Sequence, residues 1–214
     1  MKTQTITRTL YSFNELSDEA KENARNRWRQ FENDDFDAEC VIDDAEQVAG
    51  ILGIEFATYS VPLMNGKTKE KPKVWYSGFC SQGDGASFEG WCTYKKGSKK
   101  AIRSYAPQDT ELHRIADALQ AIQRRNFYSL AASISQSGRY QHSHTMSVEV
   151  EDNRDRWRDV SSDDADDITD LMRDFADWIY KRLESEYEWR MSDECIDENI
   201  QANDCEFTES GELV

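Results

Sequence analysis

The sequence predicts an α+β fold: a largely antiparallel sheet packed with several helices, the C-terminal ones acidic. Three observations predict it. Apolar residues recur at helical spacing in several stretches, from Leu16 to Phe31 and from Ile168 to Leu183 among them. Between those stretches lie short β-branched and aromatic runs bounded by Gly, Pro, Asn and Ser. Strands and helices also follow one another without the regular βαβα rhythm that a parallel sheet needs.

Taken in order, residues 3–11 alternate enough to predict a strand. Ser17 then caps a helix that carries Asp18 and Glu19 in its first turn, the charge a helix N-terminus favours. A second helix is expected from about Asp35 to Leu52, with Ala38, Val41, Ile42, Ala45, Val48 and Leu52 on one face and Gly53 as its C-terminal stop. Residues 54–60 read as a strand, and Asn65-Gly66 as a turn in a polar loop. Trp75–Cys80 and Ser87–Tyr94 read as two β-rich runs around a glycine turn. "KKGSKK" reads as a basic loop. Pro107 and Asp109 introduce a helix with Leu112, Ile115, Ala116, Leu119 and Ile122 inward. Residues 127–135 and 140–150 suggest a hairpin about Ser137-Gly138. Ser161 or Ser162 caps a long helix, and Ser192 a short last one. The expected organisation is a single α+β domain over 1–205 with an acidic flexible tail at 206–214.

The chain has 214 residues and a formal net charge of −16. That charge is uneven: residues 1–60 carry −7, 61–150 carry +6 and 151–214 carry −15. A basic middle therefore sits between two acidic ends. Acidic surface repels nucleic acid and attracts the proteins that bind it, so direct nucleic-acid binding is disfavoured. Six Trp, nine Tyr and nine Phe argue against global disorder. No apolar run approaches a membrane span, and "MKTQTITRTLYSF" has no secretory apolar region. Five cysteines, an odd number with no C-x-x-C, suit a cytoplasmic protein with reduced thiols. No cofactor and no metal site is expected.

"WYSGFCSQGDGASFEGWCTY", residues 75–94, is the most unusual stretch. It lacks the lysine of a phosphate-binding loop and the following helix of a dinucleotide fingerprint. Asp84 and Glu89 are too few for a calcium loop. Gln82, Gly83, Asp84 and Gly85 suit a structural hairpin turn, with a ligand-contacting loop as the alternative. Neither Ser81 nor Cys80 lies in a nucleophile motif. His142 and His144 fall on the expected strand and would share a face, but no third ligand is near in sequence, and the two are too close together for a two-histidine phosphodiesterase. Lys67, Lys69, Lys71, Lys73, Lys95, Lys96, Lys99, Lys100, Arg103, Arg124 and Arg125 lie among aromatics in the basic middle. Such a patch can stack single-stranded nucleic acid or receive acidic helices of a partner or of a second copy in a homodimer.

Four stretches, "TRTLYSFNELSDEAKENAR", "WYSGFCSQGDGASFEG", "YAPQDTELHRIADALQAIQRRNFYSL" and "SDECIDENIQANDCEFTESG", resemble a bacteriophage and prophage family sometimes labelled as an antitoxin of a toxin–antitoxin stability system. The resemblance implies phage origin and an accessory role in the cytoplasm of a bacterial host; it carries no catalytic residues. In the long C-terminal helix, Asp163, Asp166, Asp167, Asp170, Asp174 and Asp177 form a carboxylate row at helical spacing. Like charges at that spacing oppose one another. The expectation is a non-enzymatic phage protein whose acidic, nucleic-acid-mimicking row binds and inhibits a host CRISPR or restriction system. An antitoxin neutralising a basic toxin is one alternative. A nucleotide-binding protein or enzyme using loop 82–85 is another.

Overall fold

The computed structural model describes residues 8–34, 36–64, 66–154 and 160–214. Helices mix with antiparallel strands, as the α+β reading expects. The chain divides into two compact units, residues 38–184 and residues 1–37 with 185–214.

In the larger unit, α2 (Glu39–Leu52) buries Ala45, Val48, Ala49 and Leu52 and stops at Gly53, which takes the left-handed conformation expected of it. Residue 35, the expected start of α2, lies outside the described residues. Strands β2 (Ile54–Phe56), β3 (Thr58–Pro62), β4 (Thr68–Pro72), β5 (Val74–Tyr76), β6 (Ala86–Phe88) and β7 (Gly90–Thr93) follow. Next come α3 (Ser98–Tyr105) and α4 (Thr110–Arg125), β8 (Leu130–Gln136), β9 (Met146–Asp152) and α5 (Ser162–Met191), whose last turns count with the smaller unit.

The main sheet has the order β2-β7-β8-β9, antiparallel throughout. Alternation decides its faces. Ile54, Phe56, Cys92, Leu130, Ala132, Ile134 and Met146 are buried, whereas Glu55, Trp91, Thr93, Ser133, Ser135, Ser147, Glu149 and Glu151 are exposed. The buried face meets the helices. Phe56 of β2 lies 5.2 Å from Phe88 of β6, and Phe88 lies 5.8 Å from Phe175 of α5, ring centre to ring centre. Fully burying each such ring contributes about 1.5–3 kcal/mol, so this aromatic triangle fastens sheet, hairpin and helix together.

Asp109 fixes the start of α4 and its partner helix at once. One carboxylate oxygen caps the Leu112 N–H at 2.9 Å, and the other accepts the Trp178 indole N–H at 2.7 Å. Ser161, not Ser162, caps α5, accepting the Asp164 N–H. The "KKGSKK" segment is not all loop: α3 begins at Ser98, behind Gly97, and buries Ile102. The 137–145 connection contains a 3-10 turn over Ser143–Thr145 where a strand was expected.

The smaller unit starts with β1 (Tyr11–Ser12) and α1 (Asp18–Asp34), with the Ser17 hydroxyl accepting the Ala20 N–H. Residues 3–7 of the expected first strand lie outside the described residues. With α6 (Asp193–Ala202) and β10 (Glu206–Phe207) the unit encloses Phe13, Leu16, Ala20, Ala24, Ile196, Ile200 and Phe207. Residues 206–214, read from the sequence as an acidic tail, include β10. β10 pairs with β1, Phe207 is buried, and the Val214 N–H bonds Glu206 O. Among the described residues no helix is long and apolar enough to cross a membrane.

Candidate functional site

Two of the sequence-selected places lie in the larger unit. The first is the α5 carboxylate row. The helical spacing that buries Ile168, Leu171, Met172, Phe175 and Ile179 turns Asp163, Asp166, Asp167, Asp170 and Asp177 outward. Asp174 is half-buried. A bare anionic face is not what results, because α4 sets arginines beside it. Arg125 bonds Asp167 at 2.6 Å and also Asp164, and Arg114 bonds Asp174 at 2.5 Å. Arg173, from α5 itself, pairs with Asp170 at 3.4 Å. Asp163, Asp166 and Asp177 have no cation partner among the described residues.

Asp167, Asp170, Asp174 and Asp177, with the three arginines, border a groove of about 580 Å³ between α4 and α5, floored by Ala118, Ala121, Ile122 and Leu171, with His144 at its edge. The small α4 residues let the helices present a shallow trough with charge of both signs on its walls. Asp164 of α5 accepts from Arg125 and Asn126 at the end of α4. Burial pushes its carboxyl upward, but hydrogen bonds from Asn126, Ser161 and Arg125 outweigh that, so the net shift is downward. Arg114 is held charged by Glu111 and Asp174. The α4 arginines were visible in sequence only as part of a basic middle; Arg114 and Asp174 lie 60 residues apart, and no local pattern joins them.

The second place is the glycine loop. β5 and β6 pair Val74 with Phe88, Trp75 with Ser87 and Tyr76 with Ala86, so the loop over 77–85 closes a hairpin. Asp84 is turned into it. One oxygen, Oδ2, accepts the N–H groups of Cys80 at 3.0 Å and Ser81 at 2.7 Å. The Ser77 N–H bonds Gly85 O, and the Tyr180 hydroxyl donates to Gly78 O at 3.0 Å. Gly83 sits at φ +102°. A side chain at Gly85 would meet His142 Cβ at 2.6 Å. Gln82 stays exposed at the tip. Asp84 thus has its hydrogen bonds inside the loop, a turn-forming use of the residue. Phe79 lies between Tyr76 and Tyr180, 5.9 and 5.8 Å from them, and pins the loop to α5.

The histidine reading is corrected. His142 and His144 flank the start of a 3-10 turn rather than alternate on a strand, with rings 6.2 Å apart. His142 packs on Gly85, while His144 borders the groove. Among the described residues no three His, Cys, Asp or Glu side chains are placed to hold a metal. Cys92 is buried and its thiol pushed up to about 12 by that burial; Cys80 is exposed on the loop.

Residues 38–193 match the model of a family described as a domain of unknown function, DUF8835. The chain belongs to that family. The match begins at Ala38, where the larger unit begins, so the groove and the glycine loop both fall within the DUF8835 part of the chain. No curated protein and no solved structure matches the chain.

Proposed function

We propose that this protein acts by binding rather than by catalysis, occupying a basic surface that another protein uses for nucleic acid. The α5 row carries the reading. Asp167, Asp170 and Asp174 are held at defined positions by Arg125, Arg173 and Arg114, and Asp163, Asp166 and Asp177 extend the row with no cation partner among the described residues. From Asp163 to Asp177 the row spans about 21 Å at 1.5 Å per residue. Fixed carboxylates of this kind meet a partner's Lys and Arg with little ordering cost, and the net charge of −16 steers the encounter.

The finer reading is a phage accessory protein that inhibits a host nucleic-acid-directed defence system of CRISPR or restriction type. Its support is the resemblance of four stretches to a phage family, together with the Lys- and Arg-rich surfaces that such systems need for phosphates. The test is phage plating on cells that carry an active defence system and express the protein. Plating should rise with the wild type and return to background with Asp163, Asp166, Asp170 and Asp177 changed together to Asn. Unchanged plating by a folded, expressed wild type against both system types overturns the finer reading. Salt-independent association of the purified protein with such a complex overturns the electrostatic one.

A further inference from the structure

Where α4 runs into β8, two adjacent aromatic residues hold a backbone conformation normally left to glycine. Phe127 has φ +54° and Tyr128 φ +64°. Asn126, which would tolerate that conformation better, stands at φ −105°. The geometry returns N–H groups to the last carbonyls of α4: Asn126 to Ile122 at 3.2 Å, Phe127 to Arg124 at 3.3 Å and Tyr128 to Gln123 at 2.6 Å. The buried Gln123 amide then bonds both backbone groups of Leu130 and locks the corner. Glycine would make the same backbone bonds without strain. Two large rings stand there instead, and they face solvent, Phe127 at 67% and Tyr128 at 42% exposure. Strain held beside exposed aromatics points toward function rather than packing.

The surroundings say what kind. The Tyr128 ring lies 4.5 Å from Tyr94, and the Arg154 guanidinium lies 4.9 Å from the centre of Phe127. Arg154 is aimed by two hydrogen bonds to the buried Asp152. Lys96 follows Tyr94 by two residues, and Arg124 precedes Phe127 by three at the end of α4; neither has an ion-pair partner among the described residues, while Lys95 sits beside Gly53 with Trp91 and Thr93. Lys99 and Arg103, further along α3, share Asp117. An aromatic ledge rimmed by cations thus stands on a chain that is acidic overall. We propose that this ledge binds single-stranded nucleic acid, with bases stacking on Phe127 and the Tyr94–Tyr128 pair and phosphates meeting Lys96 and Arg124. The site shares no residue with the α5 row and stands independently of the proposed function. An acidic segment of a second copy would use the cations but gives no reason for exposed, strained rings.

The test titrates full-length protein into fluorescein-labelled oligothymidine and oligouridine at low salt and follows anisotropy. Saturable binding that weakens as salt rises is expected. Phe127→Gly should weaken it roughly tenfold, a stacked base being the loss, while thermal stability stays level or rises as the strain is released. Phe127→Leu keeps the bulk without the aromatic face and should weaken binding too, which keeps the test decisive if the glycine variant does not fold. Inorganic polyphosphate should compete poorly. No binding at low salt overturns the proposal. So does binding that survives both Phe127 variants and is matched by polyphosphate, which would show cations acting alone. Self-association in sedimentation that Lys96→Gln with Arg124→Gln abolishes, and that oligonucleotide does not displace, would assign the patch to a second copy and likewise overturn it.

Discussion

Asp84 and Gly85 show how two neighbouring residues can serve one loop by different physics. Asp84 satisfies two backbone N–H groups, and the loop is partly solvated, so Asp84→Ala should cost about 1 kcal/mol of stability. Asp84→Asn keeps an acceptor and should cost less. Gly85 is limited by space: any Cβ presses on His142, and Gly85→Val should cost about 1–3 kcal/mol by overpacking. Urea denaturation of the three variants checks the order. A larger loss for Asp84→Asn than for Gly85→Val would show that the carboxylate charge, not the turn, governs the loop. The cysteines give a second residue-level expectation. All five are free, so denatured, unreduced protein should titrate five thiols. In native protein Cys40 and Cys80 should react first, and Cys92 only on unfolding, since burial denies it both access and the thiolate form.

At the scale of elements, the pairing of α4 with α3 and with α5 ties stability to pH. Asp117 is held low by Arg103, then Lys99; Asp164 is held low by its hydrogen bonds despite burial. Folded values below the ordinary 3.8 mean that these groups stabilise the fold above that pH and lose the contribution as pH falls through the folded value. The melting temperature should therefore drop as pH is lowered from about 5 to about 2. Asp164→Asn should melt lower at neutral pH and fall less steeply in acid; an unchanged acid slope would remove Asp164 from the account. These helices were also the most legible part of the sequence. Leu112, Ile115, Ala116, Leu119 and Ile122, like Ile168 to Leu183, repeat at one face, and every one of them is buried. Asp109 and Ser192 announced their helix starts by a short acceptor before an acidic turn. The eight-residue α3 gave little signal, because it buries Ile102 among lysines. His-Ser-His-Thr alternates like a strand yet forms a 3-10 turn, since Thr145 bonds back to His142. The Arg114 to Asp174 and Arg125 to Asp167 bonds depend on tertiary approach, which charge counting along the chain cannot reveal.

For the whole molecule, the net charge of −16 makes self-repulsion a general term, so added sodium chloride should raise the melting temperature until screening is complete. A fall at moderate salt would mean that the paired arginines outweigh the repulsion. The larger unit encloses its own aromatic and aliphatic core, and residues 38–193 expressed alone should melt cooperatively in circular dichroism. A broad, non-cooperative melt would show that it depends on the rest of the chain. The smaller unit is the reverse case, because β1 pairs with β10 and α1 packs with Ile196 and Ile200. Its two halves are separated by the entire larger unit. On the ribosome, Phe13, Leu16, Ala20 and Ala24 emerge well before their partners and must wait for Ile196, Ile200 and Phe207, roughly 170 to 195 residues downstream, on the order of 10 s at bacterial synthesis rates. For that interval the nascent chain carries an uncovered apolar stripe, which makes this segment the natural client of a holding chaperone.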